Sequence, residues 1–567
     1  MNNRSILRTR EKLLYFSIFI GVILSTFLFI RAIYIIQIED YELYKNNTQS
    51  YRVETDTLFA LRGNIYDRNS HPLTMSINSY ELGIHPEKVI GKVDELSGLL
   101  NAFVKKDQQE IYDLLISDRK FVFIDRNVSS ETAEFLREVL NDYEGWDLQR
   151  RFERVNLIEQ AKHFIGTVDI DNNGIDGVEL IFDNDLKGQD GSRTYEAAQN
   201  GTRIPQGKTT TVEPKHGKDL YLTVDSDLQF ESSSQCKLAI KETGAERCSI
   251  ILMNANSGEI YALVEEGVSS ILDMDLISIR GKYEPGSALK IFTIGSVLED
   301  KKTSIDTVYD VPDRIAKLDD SCKEGYEGDK GCFYDFLPHD DEKLSVKEII
   351  EKSSNVGTIK ILEVSSVSEI EDFLVRFGFN STTGVEVPGE IKGNFPSNKK
   401  CKTCLASMSI GYSIGVTQIQ MVKAYGIIAN GGIEIHPTLI KKDREESSTQ
   451  NRVISNELAK NLKMLLINVV DGENGTARSI RREDLVIGGK TGTSKSYIED
   501  KYYSESKYNT SFIGFFETEK GPIVASVILW HAIDSQRSEY VTGGSTAAPI
   551  FSEIVDNIIK RNVLDGK

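Results

Sequence analysis

From Leu13 to Ile30 (LLYFSIFIGVILSTFLFI) the chain carries no charge, and after Arg31 it stays apolar through AIYII. At about 1.5 Å of rise per residue such a run is a helix long enough to cross the hydrocarbon core of a bilayer. A cleaved signal peptide is the rival reading, but the run exceeds an ordinary h-region and no small-x-small site precedes the polar QIEDYE. A retained single-pass anchor over 13–36 is therefore the expectation. Arg4, Arg8, Arg10 and Lys12 precede it, whereas Glu39, Asp40 and Glu42 follow. The positive-inside rule leaves residues 1–12 in the cytoplasm and exports everything after about Gln37. Arg31 is either a functional intramembrane charge or a side chain snorkelling from the span's end, and its terminal position favours snorkelling.

A chain of 567 residues is too long for one hydrophobic core, so several folded units are expected. The formal net charge of -19 argues against a nucleic-acid partner, which would need clustered cations to release phosphate counterions. Six cysteines suit an oxidising compartment. Cys322/Cys332 and Cys401/Cys404 are close enough in sequence to pair locally. Free thiols stay open for these and for Cys236 and Cys248, and a zinc site at Cys401-x-x-Cys404 lacks a second ligand pair.

Residues 37–215 alternate short apolar runs with polar turns and carry no catalytic cluster, so they read as a non-catalytic domain. In Arg62-Gly-Asn-Ile-Tyr-Asp-Arg-Asn69, Asp67 stands between two arginines, which predicts a turn with surface ion pairs. Gly191 to about Lys218 is a linker or an extended ribbon. The second domain, 216–567, opens with a strand at Leu220–Val224 and a polar helix from Ser226. Strands at Ser249–Ala255 and Glu259–Val264 follow across an Asn-Ser-Gly turn. Three more strands, Val486–Thr493, Ser511–Glu517 and Pro522–Trp530, read as an antiparallel sheet closed by a helix from Ala547 to about Lys560. The fold class is α+β.

The chemistry concentrates in Glu284-Pro-Gly-Ser287-Ala-Leu-Lys290. A Pro-Gly turn delivers Ser287 to a helical segment, 287–299, that is apolar at 288, 289, 291, 292, 294, 297 and 298. Such a helix is buried, so Lys290 lies one turn from Ser287 and out of water. Desolvation disfavours an ammonium, and a neutral amine near a hydroxyl can act as its base. The same S-x-x-K spacing at Ser117/Lys120, Ser234/Lys237 and Ser397/Lys400 lacks the Pro-Gly entry and the apolar helix, and reads as chance. Downstream, Ser353-Ser-Asn355 supplies a hydroxyl for proton relay and an amide for a peptide, although Ser76-Ile-Asn78 shows the pattern to be weak alone. Lys490-Thr491-Gly492-Thr493 lies on a predicted strand whose glycines admit an added substrate strand; its cation and hydroxyls suit a terminal carboxylate.

S-x-x-K, S-x-N and K-T-G in this order are the signature shared by penicillin-binding proteins and class A β-lactamases. From the anchor to the C-terminus the chain resembles the class B penicillin-binding proteins, and within them the division-specific transpeptidase branch. The likeness extends to Arg62–Asn69, Gly177-Val-Glu179 with Leu186-x-Gly188, Leu222-Thr-Val-Asp225 to Gln229, Ser409-Ile-Gly-Tyr412, Thr417-x-x-Gln420, Ala429-Asn-Gly-Gly432 and Gly543-Gly544 to Phe551. The resemblance implies an elongated, mostly β/α pedestal (dimerisation-like) domain. It also implies a transpeptidase domain with a central antiparallel sheet flanked by helices, held on the outer face of the inner (cytoplasmic) membrane. Its implied reaction is acyl transfer on peptidoglycan stem peptides through a Ser287 acyl-enzyme. Lys290 is the base, Ser353 and Lys490 a proton shuttle, Asn355 a peptide holder, and Thr491, Gly492 and Thr493 the carboxylate site; the Ser287 and Thr493 N–H groups form an oxyanion hole. No metal or organic cofactor is implied. Implied partners are lipid-linked nascent glycan, a membrane-embedded glycan polymerase, divisome proteins and β-lactam inhibitors.

Against the family pattern, Ala288-Leu289 replaces a usual Thr-Phe, Ser413 stands for glycine and Gln418 for proline; the loop before Glu284 is short, and the Cys-bearing insert Asp320–Cys332 is individual. A D,D-carboxypeptidase, a β-lactamase or a sensor would use the same triplets, but needs neither this anchor with its large preceding domain nor, for the sensor, so short a cytoplasmic tail. An elongation-type enzyme and an idle scaffold are the remaining alternatives.

Overall fold

The computed structural model describes residues 3–34, 53–198, 203–267, 276–318, 331–396, 401–441, 451–498, 502–533 and 541–561. The N-terminal helix runs Asn3–Tyr34, and its Lys12–Tyr34 part is long and apolar enough to cross a membrane, with none of it buried against protein. The described chain forms two compact units, 1–61 with 188–217, and 62–187 with 218–567.

In the first unit the strand Val53–Leu58 pairs antiparallel with Gly191–Glu196, which pairs in turn with Thr209–Val212. Of the two forms expected for 191–218, this is the extended ribbon. Threonine-rich, exposed strands suit a ribbon held by its main-chain ladder and by cross-strand polar pairs such as Thr55–Thr194, 3.1 Å apart between hydroxyl oxygens.

The second unit is built on a five-stranded antiparallel sheet in the order Ile260–Gly267, Arg247–Asn254, Gly521–Ile533, Tyr502–Thr518, Ile487–Ile498. Its inner strand Arg247–Asn254 is buried at every residue. The helix Ser226–Thr243 packs with Ala547–Arg561, and Gln418–Ala429 packs with Asn456–Asp471, each pair also lying against the sheet. Arg247–Asn254 accordingly reads as an apolar run rather than an alternation. Ser226–Thr243 starts where the Asp225 carboxylate accepts the N–H groups of Asp227 and Leu228, and stops at Gly244 in the left-handed region.

A second sheet within the same unit joins Val122–Ser129, Pro72–Ile84, Ile65–Tyr66 and Leu220–Tyr221, with Trp146–Asn156 also paired to Pro72–Ile84. The expected strand Leu220–Val224 is thus cut to two residues and lies parallel to Ile65–Tyr66, outside the large sheet. The cause is a change of partner along the run: Leu222 N–H donates to Tyr66 O, whereas Thr223 N–H donates to Leu439 O. One continuous apolar core includes Ile65, Phe164, Val178 and Leu186 together with the large sheet; a separate core gathers Leu82, Leu96, Ile111, Ile124 and Leu136.

Arg62 is not a surface ion pair of Asp67. It is fully buried; Nε donates to Glu179 Oε2 at 2.6 Å, Nη1 to Asp183 Oδ1 at 2.7 Å, and Arg154 Nε donates to the other Glu179 oxygen at 2.6 Å. Asp67, also buried, accepts the N–H groups of Asn69 and His71 and the Ser226 hydroxyl. The two turn-rich segments read from sequence as separate structural pieces are therefore tied by a desolvated guanidinium with several acceptors, the arrangement in which removing one partner is most costly. Disulfides join Cys236 to Cys248, and Cys401 to Cys404; Cys332 is also disulfide-bonded. Proximity in sequence anticipates the second bridge but not the first, which links the helix Ser226–Thr243 to the neighbouring strand. Cys322 lies outside the described residues.

Candidate active site

Ser287 enters on a 3-10 turn, Gly286–Leu289, and the α-helix proper begins at Lys290 and runs to Glu299. The expected single helix from 287 is thus two pieces: the tighter turn precedes it because Gly286 has φ +53, and its N–H donates to Gly411 O. A Cβ on Gly411 would overlap the Gly286 carbonyl, so the Ser409–Tyr412 motif forms the floor of the serine turn. Tyr425 supports the same turn, its hydroxyl donating to Ala288 O at 2.7 Å, and Phe292 packs edge-on against Tyr425, Phe377 and Phe379. Every residue from Ala288 to Val297 is buried, whereas Ser287 is half-buried and its hydroxyl has no hydrogen-bond partner among the described residues.

Lys290 is wholly buried. Its Nζ donates to Ser353 O at 2.6 Å and Asn355 Oδ1 at 2.7 Å, with Ser353 Oγ at 3.4 Å. Ser353 can offer both its carbonyl and its hydroxyl because it terminates the helix Val346–Lys352 in the left-handed region, φ 61. From the other side Lys490 Nζ, equally buried, donates to Ser353 Oγ at 2.8 Å and Thr491 Oγ1 at 3.3 Å. Two amines thus converge on one hydroxyl. Burial brings the Lys290 pKa down from 10.5 to about 7, with the Asp335 carboxylate opposing the shift. Burial lowers Lys490 as well, and the Lys290 charge adds to that depression. A pair of amines that cannot both stay protonated cheaply, joined by a hydroxyl, is a proton-transfer path.

Lys490 to Thr493 lie on the edge strand Ile487–Ile498, registered so that Lys490 faces Ile513 and Gly492 faces Ser511. Thr491 Oγ1 is 2.9 Å from Thr476 Oγ1, and Thr493 Oγ1 accepts the N–H of Gly543 at 3.1 Å. A Cβ on Gly286 would come within 2.9 Å of Thr493 O, placing the serine turn beside the K-T-G strand. All eight residues singled out from sequence therefore meet here: Ser287 on its turn, Lys290 at the start of the helix after it, Ser353 and Asn355 at the junction of two helices, and the other four on the edge strand.

Two details depart from the sequence reading. Lys290 bonds to Ser353 and Asn355 rather than to Ser287, because those two acceptors face it directly. Asn355 does not present a free amide: its Nδ2 donates to Tyr334 O at 2.9 Å, and its N–H, with that of Val356, donates to Asp335 Oδ1. Asp335, Thr476 and Gly543 are site neighbours that the three triplets do not reveal; each reaches the site from a loop outside them, and only Gly543 belongs to one of the family-like segments. Of the chance matches, Ser234 and Ser117 bond back to nearby main-chain carbonyls, Phe230 O and Leu114 O, and Ser76 donates to Arg62 O away from the site. Ser397 and Lys400 lie outside the described residues.

A family model for the penicillin-binding protein transpeptidase domain matches residues 248–556. The chain belongs to the penicillin-binding protein transpeptidase family. A second model, for the penicillin-binding protein dimerisation domain, matches 57–222. Penicillin-binding protein PbpB of Mycolicibacterium smegmatis is 26% identical over 568 residues, spanning 90% of this chain and 84% of its own. Peptidoglycan D,D-transpeptidase FtsI of Buchnera aphidicola is 25% identical over 543 residues, spanning 91% and 89%. Among solved structures, penicillin-binding protein 3 from Mycobacterium tuberculosis complexed with aztreonam superposes with a TM-score of 0.65 at 23% identity, covering 89% of this chain and 97% of that one, a likeness of fold.

Proposed function

We propose that the chain is a membrane-anchored peptidoglycan D,D-transpeptidase that works through an acyl-enzyme on Ser287. The observation that carries this reading is the convergence of two buried amines on Ser353 beside a half-exposed serine with an unengaged hydroxyl. In the proposed cycle Ser287 Oγ attacks the penultimate D-Ala carbonyl and its proton passes to neutral Lys290. The Ser287 and Thr493 N–H groups hold the oxyanion; loss of one such donor costs about 3 kcal/mol in comparable enzymes. Lys490 and Ser353 return the proton to the departing D-Ala amine. An amine from a neighbouring stem peptide then attacks the ester carbonyl; Lys290 takes up its proton and passes it to the departing Ser287 Oγ, which regenerates the hydroxyl and the neutral amine. Thr491, Gly492 and Thr493 receive the donor's terminal carboxylate. Asn355 positions Lys290 through Oδ1, and its Nδ2 reaches the peptide only by exchanging its bond to Tyr334 O.

Residues 1–12 form the cytoplasmic tail, 13–36 the inner-membrane span, 37–215 the non-catalytic pedestal and 216–567 the catalytic domain; the matches at 57–222 and 248–556 support this division. A role in septal synthesis, beside a membrane glycan polymerase and other divisome proteins, is supported by the resemblance to the division-specific branch and by the name of the Buchnera relative. The test is product analysis with a stem-peptide donor and an amine acceptor. Cross-linked dimer that disappears in Ser287→Ala is expected; free acid as the sole product would make the enzyme a carboxypeptidase. Mid-cell placement of a fluorescent fusion is expected for the septal role, and lateral placement would replace it with elongation.

A further inference from the structure

Glu351 lies in the last turn of the helix Val346–Lys352 that Ser353 terminates, and its side chain is buried. No Lys, Arg or His among the described residues forms an ion pair with it. Its oxygens are instead taken by the end of the helix Asn456–Asp471 and the loop that follows it: Asn468 Nδ2 donates to Oε2 at 2.5 Å and Asn474 N–H to Oε1 at 2.8 Å, while Thr476 N–H donates to the Glu351 carbonyl at 3.3 Å. The approach is close enough that a Cβ on Gly472 would overlap the Glu351 carboxyl carbon. At the far end of this loop the Thr476 hydroxyl meets Thr491 on the K-T-G strand. A carboxylate with no cation is costly to bury, and here its two donors both belong to the segment that ends in Thr476.

We propose that Glu351 is a positioning residue: it clamps the Asn468–Thr476 segment so that Thr476 fixes the Thr491 hydroxyl at the subsite for the donor's terminal carboxylate. The Ser353 helix and the K-T-G strand are thereby registered twice, through Ser353–Lys490 and through Glu351–Thr476–Thr491. This inference rests on the transpeptidase reading of the same site.

The test is acylation of the full-length, detergent-solubilised protein by a labelled penicillin, with the dissociation constant K separated from the acylation rate constant k2. Glu351→Ala should weaken K about tenfold, the size of one hydrogen bond to a charged group, and leave k2 within about threefold. Thr476→Ala should give the same weakening, and the double variant no further loss, since Glu351 acts through Thr476. Glu351→Gln should recover most of K, because its carbonyl can accept Asn474 N–H once the Asn468 amide turns over. Gly472→Ala, which displaces the loop while leaving the carboxylate in place, guards against simple misfolding of Glu351→Ala and should reproduce its loss. Unchanged K in Glu351→Ala and Gly472→Ala, additive losses in the double variant, or an effect confined to k2 would each overturn the proposal. Failure of the wild type to be labelled at all would instead sink the transpeptidase reading.

Discussion

Acylation of Ser287 should follow the titration of Lys290 and not that of an ordinary lysine. With a pKa near 10.5 only about 0.03% of the amine would be neutral at pH 7; at about 7, roughly half is, a gain of about 1,500-fold in competent base. That shift corresponds to roughly 5 kcal/mol of preference against the charged form, arising from complete burial and partly opposed by Asp335. Because the neutral form is the active one, the rate falls as protons bind. The second-order constant for a labelled penicillin, measured by stopped flow from pH 5.5 to 9, should lose about tenfold per unit well below pH 7 and level off above it. Asp335→Asn removes the charge that favours the ammonium, so the acidic limb should move to lower pH. A flat profile between pH 6 and 8, or a limb that moves upward in Asp335→Asn, would refute the assignment of Lys290 as base.

Ser353→Ala should slow acylation by about 10²- to 10⁴-fold, the usual worth of a proton relay, with Tm little changed because Ser353 is half-buried; a rate within threefold of wild type would remove the hydroxyl from the path. Gly492→Ala would drive a Cβ into Ser511 Oγ and within 2.9 Å of Pro285 O, so labelling should be lost while the protein still folds, as read by circular dichroism and a gel assay. Arg62→Ala leaves buried Glu179 with Arg154 as its remaining side-chain partner and should cost about 3–5 kcal/mol in denaturant unfolding; a loss under 1 kcal/mol would mean that water replaces the guanidinium.

Local chemistry made much of the catalytic unit legible. The strands around 487, 511 and 522 follow one another with turn residues between them, and the buried helix after Ser287 announces itself by apolar residues on nearly every side. Lys290 could be predicted to lose its proton from that pattern alone. What could not be read was set by distant pairing. Arg62 looks like half of a surface pair with Asp67, because nothing nearby says that Glu179 and Asp183 will meet it in the core. Leu220–Val224 has strand composition, yet the competing partners Tyr66 and Leu439 divide it. The left-handed end at Ser353 occurs at a residue type that rarely adopts that conformation, and the Cys236–Cys248 bridge depends on the packing of a helix against a strand. Asp335, Glu351 and Thr476 lie outside the three motifs; Asp335 and Thr476 reach them from loops and Glu351 from the helix before Ser353, where spacing carries no signal.

Mass spectrometry of the protein after brief exposure to a penicillin examines the nucleophile most directly. Trypsin cuts after Lys282 and Lys290, so Ser287 leaves in the single peptide Tyr283–Lys290. A penicilloyl adduct is expected on that peptide, at Ser287, and none in Ser287→Ala. An adduct on any other peptide, or one that persists in Ser287→Ala, would contradict it.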